Sequence, residues 1–144
     1  MYSIIKTSHS YFAWFALAAI IIVIVVAAIA VLGKKPFTIS NLKIALWGLI
    51  AGHIQLLIGL ILYFLSPNGF HNISGATMKD SAERLLAVEH PFINILAIIV
   101  ITIGYSKAKK LLNSGDSAKT VLIYYGLGLV LLLSRIPWHS WLNI

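Results

Sequence analysis

The sequence predicts an all-α fold, a four-helix transmembrane up-down bundle with both termini outside, and three observations carry that expectation. Of its 144 residues, 60% are hydrophobic and only 10% charged, and the mean hydropathy is +0.94, far from a chain whose solvent is water. The apolar residues gather in four blocks, residues 11–32, 44–65, 85–105 and 121–138. Each is close to the roughly 20 residues that cross a ~30 Å hydrocarbon core. The basic residues then alternate in density from one connection to the next. Residues 1–144 read as a single transmembrane domain, and the lipid bilayer is its first partner.

The first block follows Lys6 and contains Ala28-Ile29-Ala30, which imitates a signal-peptide cleavage site. Its apolar run exceeds the ~7–15 residues of a signal core, so it reads as a retained helix. Loop one carries Lys34, Lys35 and Lys43. In the second block Gly48, Gly52, Gln55 and Gly59 share one helical face, and Gly48 with Gly52 forms a close-approach motif for a neighbouring helix. The same wheel sets His53 roughly 140° from that face, which lets the glycines pack while His53 points into the bundle.

Loop two, residues 66–84, opens on the turn Pro67-Asn68-Gly69 and closes on Ser81, Glu83 and Arg84, a helix start. It is the one loop long enough to cap the outer face. Its Asn72-Ile73-Ser74 sequon reads as chance. In the third block His90 shares a stripe with Glu83, Asn94, Ala97 and Gly104, and in the fourth Arg135 shares one with Tyr124 and Gly128. Loop three carries Lys107, Lys109, Lys110 and Lys119, whereas in loop two Lys79 and Arg84 are offset by Asp80 and Glu83. The positive-inside rule therefore makes loops one and three cytoplasmic. The net charge of +7 is explained by this topology, and nucleic acid is not expected as a partner.

There is no cysteine, hence no thiolate metal site, no covalent haem attachment and no iron–sulfur cluster. An ionisable side chain inside hydrocarbon costs about 2.5–3.5 kcal/mol on insertion scales and calls for a partner, a cavity or a cofactor. Here such residues concentrate toward the outer half: His9 at the edge of the first helix, His53 in the second, His90 in the third, Arg135 and His139 near the end of the fourth. Two neutral imidazoles from facing helices make a b-type haem site without cysteine. Counted from the outer ends, His53 is ~18 Å deep and His90 ~12 Å. They form the first-choice axial pair for one haem b, with Arg135 and His9 toward its propionates. The competing assignment is a shallower haem ligated by His9 and His90. Glu89 is expected to pair with Arg84 or Lys79 or to carry a proton, and His71 and His139 to be solvated or anchoring.

Four segments are also familiar together: His9-Ser10-Tyr11-Phe12; His53-Ile54-Gln55-Leu56-Leu57-Ile58-Gly59-Leu60; Met78-Lys79-Asp80-Ser81-Ala82 leading to Val88-Glu89-His90-Pro91; and Ser134-Arg135-Ile136-Pro137-Trp138. Over nearly the whole chain they resemble small bacterial four-helix membrane proteins labelled cytochrome B. More remotely, the arrangement is similar to one half of the haem A synthase fold. The resemblance implies haem b and electron transfer in the bacterial inner membrane, with His9, His53, His90 and Arg135 at the polar landmarks. A quinone or a larger respiratory complex is the partner implied. An electron-transfer protein is expected rather than a catalyst with its own substrate, and a hydrolase is not expected, since no activated Ser or Cys nucleophile can be assembled. Two other classes compete. One is a haem-free accessory subunit or assembly factor of a respiratory complex. The other is a proton-relay protein or small transporter built on Glu89, His90 and Arg135, against which the absence of a repeat counts.

Overall fold

The structure, a computed structural model, describes residues 1–142, and every regular element among them is helical. Helix α1 runs Tyr2–Leu32, beginning well before residue 11. Residues 2–10 contain neither Gly nor Pro, and the Ser10 hydroxyl donates to Lys6 O at 3.0 Å, so the polar first turns stay helical. His9 thereby sits inside a helix. Helix α2, Ile39–Leu65, starts at a capping box. Asn41 N donates to Thr38 Oγ1 at 3.4 Å and Thr38 N to Asn41 Oδ1 at 3.0 Å, occupying two otherwise unpaired amides.

Helix α3 spans Ser81–Lys110 and is capped by Asp80, whose Oδ1 accepts from Ala82 N and Glu83 N, both at 2.9 Å. The expected start near Ser81 is where the helix begins. Helix α4, Gly115–Ser134, ends short of residue 138 because Pro137 lacks an N–H and disfavours helical backbone at Ile136. A short helix α5, Trp138–Leu142, follows, and Trp141 stacks on Trp14 of α1 with ring centres 4.6 Å apart.

The four long helices are each long and apolar enough to span a membrane, and only 22–33% of the apolar stretch of each is buried inside the protein. The remainder presents large apolar side chains such as Ile22, Trp47, Leu57, Ile99 and Val130 outward, which suits hydrocarbon and not water. The helices form a ring: α1 packs on α2 and α4, and α3 packs on α2 and α4. This leaves α1 opposite α3 across the bundle axis.

Close approach comes from glycine. A Cβ at Gly48 would lie 2.6 Å from Val23 Cγ2, one at Gly104 2.2 Å from Tyr124 Cβ, and one at Gly128 2.4 Å from Ile101 Cγ1. Only a bare Cα fits there, and dispersion between the helices is what such packing gains. Between them lies a dry core of Ile20, Val23, Ala45, Ile101, Val121 and Tyr125. The buried Tyr125 hydroxyl donates to Ala45 O at 2.7 Å, so it enters the core satisfied. On α1 the fully buried residues begin at Ala16, on α2 they stop at Gly52, and on α3 they run from Ala97 inward except for Ala87. Beyond that level, toward His9 and His90, Leu132 of α4 is still buried, and the side chains of α1, α2 and α3 around it are mostly half-buried.

Candidate functional site

The half-buried end is built around an irregularity in α3. Leu85–Glu89 forms one π turn, closed by His90 N donating to Leu85 O. Pro91 explains it: a proline has no N–H for the carbonyl of Ala87 one helical turn back, and the wider turn absorbs the mismatch. The buried Ala87 carbonyl is not left orphaned, because Tyr63 Oη of α2 donates to it at 2.9 Å. The extra residue in the turn sets the direction in which Glu89 and His90 leave the helix.

His90 is held firmly. Its Nδ1 donates to the carbonyl of Arg135 at 2.7 Å, where α4 ends and the carbonyl has no helical partner. Asn94, one turn along, donates its amide to His90 O. With the proton on Nδ1, the lone pair of the neutral imidazole is on Nε2, the arrangement that a metal-binding histidine uses.

Across the axis stands His9. The Gln55 amide donates to His9 O at 3.0 Å and lies 3.2 Å from His9 Nδ1. Gly59, one turn further along α2, makes room for the ring, since a Cβ there would lie 2.9 Å from His9 Cε1. The glycine face of α2 therefore carries a polar partner for α1 as well as packing contacts. Gln55 Oε1 is buried without a hydrogen-bond partner, an unsatisfied acceptor beside the histidine pair.

The two imidazoles meet edge to face, their ring centres 6.3 Å apart and their planes at 86°. Among the described residues no group of three or more His, Cys, Asp or Glu could hold a metal ion.

Next to His90, Glu89 joins two cations: Arg84 Nε lies 2.8 Å from Glu89 Oε1 and Arg135 Nε 3.2 Å from Oε2. Arg84 Nη1 also donates to Met78 O at 2.7 Å, and Arg135 Nη1 to Ser134 O at 3.0 Å. The expected Glu89–Arg84 pair is present. Arg135, expected to be free for a propionate, instead has a carboxylate of the chain's own, in a triad with one positive charge in excess.

His53 is elsewhere. Because the glycine face of α2 turns into the bundle, its far side turns out, and His53 is exposed, its Nδ1 donating to Leu49 O at 2.9 Å. Gly52 abuts Ile98 of α3, which puts this level two helical turns, ~12 Å, inward of His90. The structure brings His9 to His90 and does not bring His53 to either. His71 and His139 are exposed, His71 Nε2 donating to Phe64 O at 3.2 Å. No family model, characterised protein or solved structure matches this chain.

Proposed function

We propose that this chain is a membrane-embedded b-type haem protein that passes electrons in a bacterial respiratory membrane, with one haem b between His9 and His90. The observation that carries the reading is the meeting of two imidazoles from opposite helices, with ring centres 6.3 Å apart. Two features of the donor set fit the group. His90 already holds its proton on Nδ1. Gln55 has a spare buried acceptor.

Each residue then has a task. His90 binds through Nε2 while Arg135 O fixes its ring, which raises its basicity. His9 binds through Nε2 once its Nδ1 carries the proton, and a half-turn of the Gln55 carboxamide places Oε1 to accept that proton, at the expense of the amide's bond to His9 O. Arg84 and Arg135 supply the one excess positive charge near acidic groups, with Glu89 competing for both. Haem, when bound, supplies one-electron chemistry that none of these side chains has. A quinone or a larger respiratory complex is the proposed partner, and the lysine-rich end of the bundle is proposed to face the cytoplasm.

A second reading, a haem-free accessory subunit or assembly factor, is favoured by one observation: Gln55 already occupies His9 and Glu89 already occupies Arg135. The two readings separate in the reduced-minus-oxidised absorption spectrum of the detergent-purified protein, expressed with ample haem. A b-type spectrum abolished by His9→Ala and by His90→Ala but retained in His53→Ala is the expected result. A folded wild-type protein without haem would leave the accessory subunit as the better reading.

A further inference from the structure

The opposite end of the bundle carries a second site. Loop one and loop three are tied there by two backbone hydrogen bonds, Asn113 N to Phe37 O at 3.0 Å and Phe37 N to Ser114 O at 3.4 Å, with Phe37 wholly buried between them. Two adjoining clefts flank this tie and share Ala30, Lys35 and Pro36. One, about 430 Å³, has an apolar wall of Val26, Ile29 and Ala30. The other, about 350 Å³, adds Lys34, Lys119 and the start of α4 at Gly115.

The backbone at Lys34 points the same way. Helix α1 ends with Lys35 N bonded to Ala30 O at 2.9 Å and Lys34 N to Val31 O at 3.2 Å, a closure that puts the penultimate residue in the left-handed region, normally glycine's place. Here that residue is Lys34, with φ of 49°, while Gly33 beside it has an ordinary right-handed backbone. A lysine in the left-handed region carries strain that a glycine there would not. The charged residues lining the clefts are all lysines, and the acidic Asp116 beside them is exposed, 3.9 Å from Lys119 Nζ.

We propose that this end of the bundle binds one anionic glycerophospholipid. Its phosphate is held by Lys34, Lys35 and Lys119 in the cleft between α1 and α4, and an acyl chain lies along Val26 and Ile29. The clefts open where the apolar spans give way to lysines, the level at which a headgroup meets its chains, and a basic pocket between transmembrane helices recognises such a headgroup. A zwitterionic lipid would bring its own cation against three lysines, and free phosphate would leave the apolar wall empty.

The experiment is native mass spectrometry of the full chain in a neutral detergent, titrated with phosphatidylglycerol or phosphatidylcholine. The wild type is compared with Lys34→Gln/Lys35→Gln/Lys119→Gln and with Lys43→Gln/Lys109→Gln/Lys110→Gln, a control that removes equal charge from the same end outside the clefts. One tightly bound phosphatidylglycerol is expected, weakened by about 5-fold per lysine and hence about 100-fold in the cleft variant, and within 3-fold of wild type in the control. Equal losses in both variants would mean diffuse attraction and overturn the site. So would displacement of the lipid by millimolar inorganic phosphate, or equal retention of phosphatidylcholine. Circular dichroism on both variants secures the comparison, and a cleft variant that unfolds is replaced by Lys34→Gly with Lys119→Gln, which keeps the helix end unstrained.

Discussion

Gly104→Ala should destabilise the bundle although alanine is the better helix former. A Cβ at this position lies 2.2 Å from Tyr124 Cβ and 2.8 Å from its Cγ. The nearest of these atoms is the root of a side chain, which no rotamer change can move. Reaching an ordinary contact of about 3.4 Å therefore requires α3 and α4 to part by about 1.2 Å at this level, and the pair Ile101–Gly128 one turn outward shares the strain. Overpacking of this kind costs about 1–3 kcal/mol, and an immovable partner puts Gly104 at the upper end. The helix-propensity gain of about 1 kcal/mol leaves a net loss of about 2 kcal/mol. For a chain of this size that lowers the melting temperature by roughly 6 °C. The built-in control is Gly126→Ala in α4, where an added Cβ meets nothing within 4 Å, so propensity alone should raise the melting temperature by roughly 2–3 °C. The assay is thermal unfolding in mild detergent followed by far-UV circular dichroism. A Gly104→Ala protein that melts at or above Gly126→Ala would refute the close-approach geometry assigned to α3 and α4.

Three further substitutions test the polar end. Tyr63→Phe removes the donor to the buried Ala87 carbonyl and should cost about 1–3 kcal/mol, read in the same melting assay; an unchanged melt would mean that the π turn does not depend on α2. Glu89→Gln unties Arg84 from Arg135 and should lose about 1 kcal/mol at low ionic strength, with the gap from wild type closing in about 1 M salt as screening removes the pair; a gap independent of salt would argue for packing instead. His53→Leu should melt at or above the wild type, because a half-satisfied imidazole is exchanged for an apolar side chain on a hydrocarbon-facing surface; a clear loss of stability would place a partner on that face.

The existence of the four spans was legible because membrane-length apolar blocks leave few alternatives, and the helix boundaries were legible where chemistry marks them, as at Ser81. The ends that escaped did so for physical reasons. Tyr2–Ser10 is polar yet has no helix breaker, so hydropathy placed the start at residue 11, too late. Pro137 ended α4 sooner than its apolar content suggested. Which way His53 faces was decided by α2 itself: a helical wheel fixes the angle between the glycines and His53, but not which of the two faces inward. Close approach at Gly48, Gly52 and Gly59 decided it, since those contacts bring α1 and α3 against the glycine face. The Gln55–His9 and His90–Arg135 contacts join residues 46 and 45 positions apart and leave no local trace. A signal did exist for the π turn in the proline directly after His90.

The two ends of this bundle solve opposite problems with the same four helices. At the lysine-rich end glycines let backbones touch, and that contact supplies the attraction that lipid, being as apolar as the core, withholds. If the glycine packing continued to the other end, the diagonal histidines would have no space. Gly59 is the turning point: it is small, like Gly48 and Gly52, but what fills the room beside it is an imidazole and not an aliphatic side chain. From there on, separation is maintained by polar groups, each committed to a defined partner. Tyr63 replaces a missing amide, Arg135 O orients His90, and Glu89 ties the broken end of α4 to the π turn of α3. Loosening the dry core should therefore lower stability without turning the imidazoles, whereas loosening the tie between Pro91, Ala87 and Tyr63 should turn His90 away from His9 at a comparable cost in stability. That separability is what a rigid scaffold carrying an adjustable site requires, and Gly104→Ala and Tyr63→Phe, compared in one spectroscopic assay, probe it directly.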